Sequence, residues 1–469
     1  MATTDTSGST ACSYRKKECH QSPLWRILCD HLDTFLSQYE RRFLDTHGPL
    51  APWAEETLNR LAQCGDPNFG VALLYCKECK IKIAVPYSCK TRICPSCVNR
   101  RAEDLSHQLV ERLPAQSYRH VVITFPKKMG LRKRFQQDPT LYRKFGRLLH
   151  RTLSTWMVER TRCQRNRRED KARAMPGIIM ATQSFGDELK PHAHYHLLVS
   201  DGVFFPEGEF YSLSWDETEL RERIRQAVLR SLVARKLLRE ETAEVMLSWP
   251  IERSGFSVFV GQSLALPEEA EDIRRILRYI LRSSFPLNRL TYDEKTARVD
   301  FRTTKGRFKS WPHAVQFLAA LSQHIPKPRQ HLVVYAGYFS NALGKLSVKP
   351  ESQESGMEKS DKPKSRWTRW AALVLRTWQV DPELCPRCRK TMTRGKTIFE
   401  RVELKRLLAG LRVGDYPTRP RSPPPPEDED SSSPLFSDPG PECEGDCGAE
   451  SPDDNHSQEP PNWDDWVAA

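Results

Sequence analysis

Three histidines occupy alternate positions in the stretch Lys190-Pro-His-Ala-His-Tyr-His-Leu-Leu-Val-Ser-Asp-Gly202. Alternate side chains of an extended strand project from one face, so His192, His194 and His196 are predicted to point the same way. Neutral imidazoles gathered on one face are typical ligands of a divalent cation, which can act as a Lewis acid on a phosphodiester oxygen. The alternative interpretation is a buried polar cluster.

A candidate nucleophile for such chemistry is Tyr279. In Asp272-Ile-Arg-Arg-Ile-Leu-Arg-Tyr-Ile-Leu-Arg-Ser283 the apolar residues recur at helical spacing, and at about 100° per residue Tyr279 falls at the edge of the apolar stripe. Arg275 and Arg282 are close to it in the predicted helix, and guanidinium groups neutralise charge that develops on a phosphate. From its position alone, a tyrosine at the edge of an amphipathic helix usually packs, and catalysis is the alternative. Tyr292, Tyr335 and Tyr338 are the reserve candidates for a nucleophile.

A cysteine-rich segment precedes these residues. Cys76-Lys-Glu-Cys79 and Cys94-Pro-Ser-Cys97 are two Cys-x-x-Cys pairs separated by 14 residues, a spacing that predicts one tetrahedral four-sulfur zinc site. Cys64 and Cys89 either replace a ligand in this site or belong to a second one with a histidine. Cys385-Pro-Arg-Cys388 is a further pair, for which only Cys443 and Cys447 are plausible partners, so it is not counted among the predicted zinc ligands.

The charge of the chain is divided unevenly. The net charge is +13, but Ser422 to Ala469 holds 14 Asp/Glu and no Lys/Arg, so the first 421 residues carry 73 basic and 60 − 14 = 46 acidic residues, a net +27. This excess predicts a partner that is a polyanion, namely nucleic acid. The cations that we expect to contact DNA are Lys90, Arg92, Lys127, Lys128, Arg275 and Arg282.

One basic segment combines positive charge with aromatic residues. Between Pro126 and Arg173 there are 16 Lys/Arg and 4 Asp/Glu, interleaved with the aromatic side chains Phe135, Tyr142, Phe145 and Trp156. Single-stranded nucleic acid is bound by such mixtures. The same aromatic residues would equally form the core of a helix.

The composition also predicts where the protein works. The N-terminus has no apolar signal run, and no stretch approaches the ~20 apolar residues of a membrane span. We therefore expect a cytoplasmic, nucleoid-associated protein without a membrane partner. In such a reducing setting, clustered cysteines more often bind metal than form disulfides.

The periodicity of apolar residues predicts the elements that carry these sites. Helices are expected at 24–43, 100–112, 142–160, 220–245, 268–285 and 314–324, and strands at 118–125, 177–185 and 192–205. The predicted organisation is a disordered leader (1–22), a zinc-binding domain (23–112), a catalytic domain (113–348), a linker (349–366), a small element with a cysteine pair (367–416) and a disordered acidic tail (417–469).

The motifs together resemble one family. His194-Tyr195-His196, running into Leu-Leu-Val, resembles the metal motif of the HUH endonucleases, and the longer pattern is similar to the insertion-sequence ninety-one type of rolling-circle transposase. The matching segments, over about residues 25 to 395, are Cys64-Gly-Asp-Pro, Ser88-Cys-Lys-Thr-Arg-Ile-Cys-Pro-Ser-Cys97, Arg119-His-Val-Val-Ile-Thr-Phe-Pro126, Gln183-Ser-Phe-Gly186, Arg278-Tyr-Ile-Leu-Arg282, Tyr335-Ala-Gly-Tyr-Phe-Ser-Asn341 and Val380-Asp-Pro-Glu-Leu-Cys-Pro-Arg-Cys388.

The resemblance implies an α+β fold, in which a ferredoxin-like sheet carries the histidine pair and a neighbouring helix carries the nucleophilic Tyr279. It implies an enzyme that nicks single-stranded DNA at the end of a mobile element and forms a 5′-phosphotyrosine bond, with structural Zn²⁺ and catalytic Mg²⁺ or Mn²⁺. The third ligand of the catalytic metal is either His192 or Gln183. Ser283 stands where the two-tyrosine branch has its second tyrosine, which implies a single-tyrosine mechanism or a weakened enzyme.

Two other functions are compatible with the sequence. A replication initiator or plasmid relaxase uses the same chemistry, although the cysteine module argues against it. A zinc-dependent DNA-binding protein with a decayed catalytic site is the non-enzymatic alternative.

Overall fold

The computed structural model describes residues 21–126, 134–135, 138–165, 174–186, 188–206, 208–250, 254–303, 306–340, 371 and 381–410. Most of the predicted leader, the linker and the acidic tail lie outside these residues, as do Lys127, Lys128, Cys443 and Cys447. Helices and strands are mixed along the described chain, which confirms the α+β class.

Nine helices of the described residues position the sites. They are α1 (Pro23–His47), α2 (Ala54–Ala62), α3 (Pro95–Arg112), α4 (Thr140–Arg165), α5 (Glu217–Ala234), α6 (Glu240–Ser248), α7 (Ala270–Ile280), α8 (Ala314–Ser322) and α9 (Arg401–Gly410). The predicted helix at 220–245 is two helices, because the chain turns between them, with Lys236 at φ 57°. The predicted helix at 268–285 ends at Ile280.

The strands of the same residues are β1 (Val71–Tyr75), β2 (Lys82–Pro86), β3 (Ser117–Thr124), β4 (Gly177–Phe185), β5 (Pro191–Ser200), β6 (Gly202–Phe204), β7 (Phe210–Ser212), β8 (Ser257–Val260), β9 (Leu264–Ala265), β10 (Leu290–Asp293), β11 (Arg298–Arg302), β12 (Phe308–Trp311), β13 (Val333–Gly337) and β14 (Thr393–Ile398). The predicted strands therefore agree with β3, β4 and β5 followed by β6.

The central sheet is antiparallel, with strand order β13-β4-β5-β3-β8, and β9 also pairs with β3. Helices α4 and α5 cover one face, where Phe145, Trp156 and Val228 pack against Tyr195 and other strand residues. Helices α3 and α7 cover the opposite face, where Leu109 and Leu277 pack against Ile179 and Leu198. The sheet is thus enclosed between two helical layers, and β5 lies at its centre.

The N-terminal segment packs against later parts of the chain. Helix α1 shares a core with α8 and with the sheet β10-β11-β12, in which Phe35, Phe285 and Phe317 are fully buried. This core therefore extends across the predicted boundary at residue 112. Strand β14 adds to β1 in the sheet β14-β1-β2, with Val71 opposite Ile398, so residues 381–410 also pack against the N-terminal segment.

None of the helices in the described part of the chain is long and apolar enough to cross a membrane.

Candidate active site and metal centres

The three histidines lie on the face of β5 that is covered by α7. His194 and His196 are fully buried, and His192 is 7% exposed. Their rings follow one another along the strand, with centroids 5.0 Å apart between His192 and His194 and 4.9 Å apart between His194 and His196. Alternation along β5 therefore places all three imidazoles in one row, because Tyr195 between them belongs to the core on the other face.

Gln183 of β4 meets this row, since it is directly opposite His194 in the strand register. Its Oε1 lies 3.0 Å from Nε2 of His194, while Nδ1 of His194 lies 3.0 Å from the carbonyl oxygen of His192. Both contacted atoms are acceptors, and a neutral imidazole carries a single N–H. If Nδ1 donates to the carbonyl, a nitrogen lone pair and an amide oxygen face each other, which is an arrangement that suits a cation.

The residues of this row offer donor atoms of the kind that a divalent cation binds: imidazole nitrogens and the amide oxygen of Gln183. Nε2 of His196 is buried and makes no hydrogen bond within the described residues. The nitrogens of the three histidines do not all lie within 4.8 Å of one another. Among the described residues, only two groups of cysteines bring three or more His, Cys, Asp or Glu ligand atoms that close together. Nε2 of His192 is also buried without a hydrogen bond within the described residues, whereas Gln183 contacts His194 directly, so both third-ligand candidates remain beside the pair.

Helix α7 brings Tyr279 onto the histidines. The ring centroid of Tyr279 lies 5.3 Å from that of His196 and 5.8 Å from that of His120. Cζ of Arg282 lies 3.6 Å from the centroid of the same ring, a cation–π contact. Gln183 joins helix to strand, because its Nε2 donates to the carbonyl oxygen of Ile280 at 3.3 Å.

Burial favours the neutral form of His196 and of its neighbour His120. It lowers the pKa of His196 well below its ordinary value, and the neighbouring His194 acts in the same direction. Burial and, secondarily, the charge of Arg282 lower the pKa of His120 to about 4. Neutral rings at pH 7 retain a nitrogen lone pair, which is the form that binds metal.

A four-cysteine group lies beside the core of α1 and α8. The Sγ atoms of Cys64, Cys89, Cys94 and Cys97 converge within 4.8 Å, and all four residues are buried. Sγ of Cys64 lies 3.6 Å from those of Cys94 and Cys97, close to the ~3.8 Å expected between sulfurs that share a tetrahedral ion with Zn–S bonds of about 2.3 Å. The backbone N–H of Cys89 donates to the sulfur of Cys64.

Comparisons with known proteins match two segments of the chain to family models. The family model described as "Transposase zinc-binding domain", of the insertion-sequence ninety-one type, matches residues 33–125, and the model described as "Putative transposase" matches residues 177–345. "Putative transposase y4qJ" of Sinorhizobium fredii (strain NBRC 101917 / NGR234) is 22% identical over 393 residues, 78% of this chain and 94% of the relative. "Transposase for insertion sequence element IS801" of Pseudomonas savastanoi pv. phaseolicola is 22% identical over 63% of this chain and 72% of the relative.

Together, these matches support an insertion-sequence ninety-one type transposase. The resemblance in the sequence is thereby confirmed. This family assignment makes the protein a transposase with a zinc-binding domain, and it implies that the protein binds and processes DNA. No solved structure matches the chain.

The pairing of cysteines in this transposase differs from the prediction. Cys76 and Cys79 do not share a site with Cys94 and Cys97; their sulfurs converge with those of Cys385 and Cys388 instead. Cys64 and Cys89 complete the first group without a histidine, and the second group needs no ligand from the acidic tail. The physical reason is that β14 pairs with β1 and carries the distant cysteine pair to the hairpin of β1 and β2.

Ser283 lies in a different setting from the one predicted. Helix α7 ends at Ile280, so Ser283 is not on the helical face of the candidate nucleophile. Its side chain is 1% exposed, and its hydroxyl donates to the carbonyl oxygen of Phe285 at 3.0 Å. The residue at this position of the transposase is therefore part of the chain turn after α7.

The predicted DNA-contacting cations have distinct environments. Arg282 covers the ring of Tyr279, whereas Arg275 is 71% exposed and pairs with Asp272 at 3.0 Å. Lys90 is exposed. The guanidinium of Arg92 donates to the carbonyl oxygens of Lys327 and Gln330. It thereby fastens the cysteine-rich residues 64–97, here called the zinc module, to the loop at 327–330. Lys127 and Lys128 lie outside the described residues.

A cleft runs between the zinc module and the sheet, and it reaches the candidate site. It is lined by Arg92, Gln183, Pro191, His324 and Lys327, among others. The basic segment contributes less stacking surface than its sequence suggested, because Phe135, Phe145 and Trp156 are buried in the core. Only Tyr142 of that set is partly buried rather than fully buried.

Sequence reasoning missed His120. It lies on β3, and its Nε2 is 3.2 Å from Nδ1 of His196, with the two rings stacked. A single histidine in a strand gives no periodic signal, and only the pairing of β3 with β5 reveals this contact.

The reserve tyrosines contact other parts of the protein. The hydroxyl of Tyr292 donates to Asp30 at 2.9 Å, far along the sequence from the histidine strand, and Tyr338 stacks on Phe204 with centroids 4.1 Å apart. Tyr335 is opposite Ile179 at the edge strand β13. Tyr279 is the one of the four for which a contact with a histidine of β5 is described.

Proposed function

We propose that this transposase nicks and rejoins single-stranded DNA at the ends of its mobile element, with Tyr279 as the nucleophile. The observation that carries the proposal is the packing of the Tyr279 ring on His196, 5.3 Å between centroids, beneath the guanidinium of Arg282. A phenol, a metal-binding imidazole and a cation in one place are what an attack on a phosphodiester requires.

In the proposed reaction, Oη of Tyr279 attacks phosphorus and the bond from phosphorus to the 3′ oxygen breaks. The products are a 5′-phosphotyrosine and a free 3′-hydroxyl, so the phenolic proton is balanced by the proton that the leaving oxygen gains. Arg282 is placed to stabilise negative charge on the phenolate and the phosphate. Rejoining is the reverse attack by a 3′-hydroxyl, and it needs no nucleotide because the phosphodiester has been exchanged rather than hydrolysed.

His194, His196 and Gln183 would hold Mg²⁺ or Mn²⁺ in this reaction. The cation supplies Lewis acidity toward a phosphate oxygen and a fixed point for orienting the phosphate. The chain contributes the neutral, buried imidazoles and the amide oxygen that faces one of them. The antiparallel sheet with the histidine strand at its centre supports the ferredoxin-like HUH arrangement that the resemblance implies.

The proposal uses one tyrosine. Ser283, at the position of the second tyrosine in the two-tyrosine branch, is buried and engaged with the backbone. The cleft that is lined by Gln183 offers a route by which a single strand can approach, with Arg92 and Lys327 as cations in its lining. Rolling-circle transposition is the process in which such a reaction operates.

The experiment is covalent capture of an oligonucleotide taken from the DNA flanking the gene, labelled at its 3′ end and incubated with Mn²⁺ or Mg²⁺. The label should migrate with the wild-type protein in a denaturing gel and with the matched control Tyr292→Phe, but not with Tyr279→Phe. DNA binding by Tyr279→Phe, measured by fluorescence anisotropy, should be unchanged.

Three results separate the proposal from its competitors. Covalent label on Tyr279→Phe moves the nucleophile elsewhere and overturns the assignment. If the His194→Ala variant forms the adduct at the wild-type rate, His194 does not bind a cation that the reaction needs. Inactivity of the wild-type protein with both cations, together with tight DNA binding, favours a DNA-binding protein whose catalytic site has decayed.

A further inference from the structure

We propose that Cys76, Cys79, Cys385 and Cys388 bind a second zinc ion, which fastens residues 381–410 to the N-terminal zinc module. This inference does not depend on the proposed catalytic reaction. Cys76 and Cys388 are 312 positions apart in sequence, yet their sulfurs lie 3.6 Å apart. The four Sγ atoms converge within 4.8 Å of one another.

The distances match a tetrahedral thiolate site. Sulfurs that share one zinc ion at about 2.3 Å are separated by about 3.8 Å. A disulfide would need a separation of about 2.05 Å, so the Cys76–Cys388 contact is not such a bond. Cys76 and Cys385 are 1% and 0% exposed, which shields half of the thiolates from water.

The two cysteine pairs also have the same backbone conformation. The residue directly after each pair, Lys80 or Arg389, is in the left-handed region, at φ 56° and 61°. In each pair the N–H of the first cysteine donates to the carbonyl oxygen five residues later, at 3.0 Å for Cys76 and 2.9 Å for Cys385. The N–H of Cys79 also donates to the sulfur of Cys76.

This repeated turn is a strong indication of a metal. Lysine and arginine adopt positive φ rarely, because Cβ is then close to the backbone. The same unfavourable conformation at two equivalent places, with the sulfurs of both turns facing each other, is accounted for by one ion that both turns bind. Two Cys-x-x-Cys turns of this kind constitute a complete four-sulfur zinc site.

Two small apolar clusters join residues 381–410 to β1 and β2, and in one of them Ile398 and Leu404 pack with Val71, Leu73 and Ala84. Within the described residues, the apolar cluster around the cysteines has few buried members: Leu74, Cys76, Val85, Cys385 and Met392. Strand β14 is exposed at five of its six positions. Small units with so little core usually need a metal or disulfide for stability.

The zinc content of the purified full-length protein tests the inference. Native mass spectrometry should find two zinc ions per chain in the wild type and in the control Cys163→Ser, whose cysteine is exposed and belongs to neither group. The double variant Cys385→Ser/Cys388→Ser should retain one. Two zinc ions in the double variant, or one in the wild type, would overturn the proposal.

A second measurement does not require a variant that folds. Wild-type protein loaded with Co²⁺ should show tetrahedral thiolate absorption for two equivalents of metal, and hydrogen exchange at 393–398 should accelerate at least tenfold when a chelator removes one equivalent. Exchange in β5 serves as the internal reference. Saturation at one equivalent, or unchanged exchange in β14 after metal removal, would contradict a zinc-dependent attachment.

Discussion

At the residue scale, the candidate site is a row of three imidazoles on β5 that meets Gln183 of β4 and Tyr279 of α7. Alternation along a strand was sufficient to predict that three histidines share a face, because the spacing of two is a local property of the backbone. Helical periodicity placed Tyr279 at the edge of an apolar stripe, and the family resemblance implied its role as nucleophile. Gln183 and His120 act across strand pairs, with Gln183 opposite His194, and strand pairing cannot be read from a single segment.

His120 is predicted to position His196. For Nε2 of His196 to bind a cation, its Nδ1 must carry the proton. The Nδ1–H can then donate a hydrogen bond to Nε2 of the neutral His120, which lies 3.2 Å away. His120→Phe keeps a ring of similar size but removes the acceptor. We expect the Mn²⁺ concentration for half-maximal cleavage to rise about 10- to 100-fold, as is typical for the loss of a partner behind a metal ligand.

The control for this prediction is His120→Gln, which keeps an acceptor oxygen and should recover part of the metal affinity. DNA binding without metal should be the same in both variants. An unchanged Mn²⁺ dependence in His120→Phe would mean that the imidazole pair is merely packing.

At the scale of elements, the middle of each helix and strand was more predictable than its ends. Helix α7 ends at Ile280, with Leu281 as its C-cap, whereas the apolar pattern continues to Phe285, where Pro286 would stop a helix. The cysteine pairs were recognised locally, but spacing alone allows several combinations of pairs. The observed combination depends on β14 joining β1, a contact between distant parts of the chain.

His324 connects two elements and gives the protein a pH-dependent contact. It follows α8, its Nε2–H donates to the carbonyl oxygen of Leu189 at 2.8 Å, and its Nδ1 accepts from the hydroxyl of Ser184 at 3.2 Å. Burial lowers its pKa to about 4. The unfolded state therefore binds more protons as the pH falls below about 6.5, so stability that is present above that pH is lost as the pH falls toward 4.

We predict that His324→Gln flattens this dependence. From the two pKa values, protonation should cost the wild type about 2 kcal/mol of unfolding free energy between pH 8 and pH 5. Urea unfolding measures the free energy of unfolding at pH 8 and at pH 5. The loss of free energy between the two pH values should be smaller in His324→Gln than in the wild type by about this amount. The control His331→Gln alters an exposed histidine. An equal pH difference in wild type and His324→Gln would contradict the prediction.

At the scale of the whole molecule, charge is separated between a basic body and an acidic end. The first 421 residues carry a net +27, and Ser422 to Ala469 carries 14 acidic residues and no basic residue. The last described helix, α9, ends at Gly410 beside the zinc module. Composition alone established this separation, because net charge needs no knowledge of the fold.

We predict that the acidic tail competes with DNA for the basic body. Deleting residues 422–469 should tighten binding to a single-stranded oligonucleotide by about tenfold at low salt, since counterion release by the body is then unopposed. Fluorescence anisotropy at several salt concentrations measures this effect, and the gain should shrink as salt rises. A full-length variant with the 14 acidic residues of the tail changed to Asn or Gln separates charge from length. If the neutral tail binds DNA like the wild type while the deletion binds more tightly, the tail acts by steric exclusion and not by its charge; unchanged affinity in both variants would mean that the tail has no part in DNA binding.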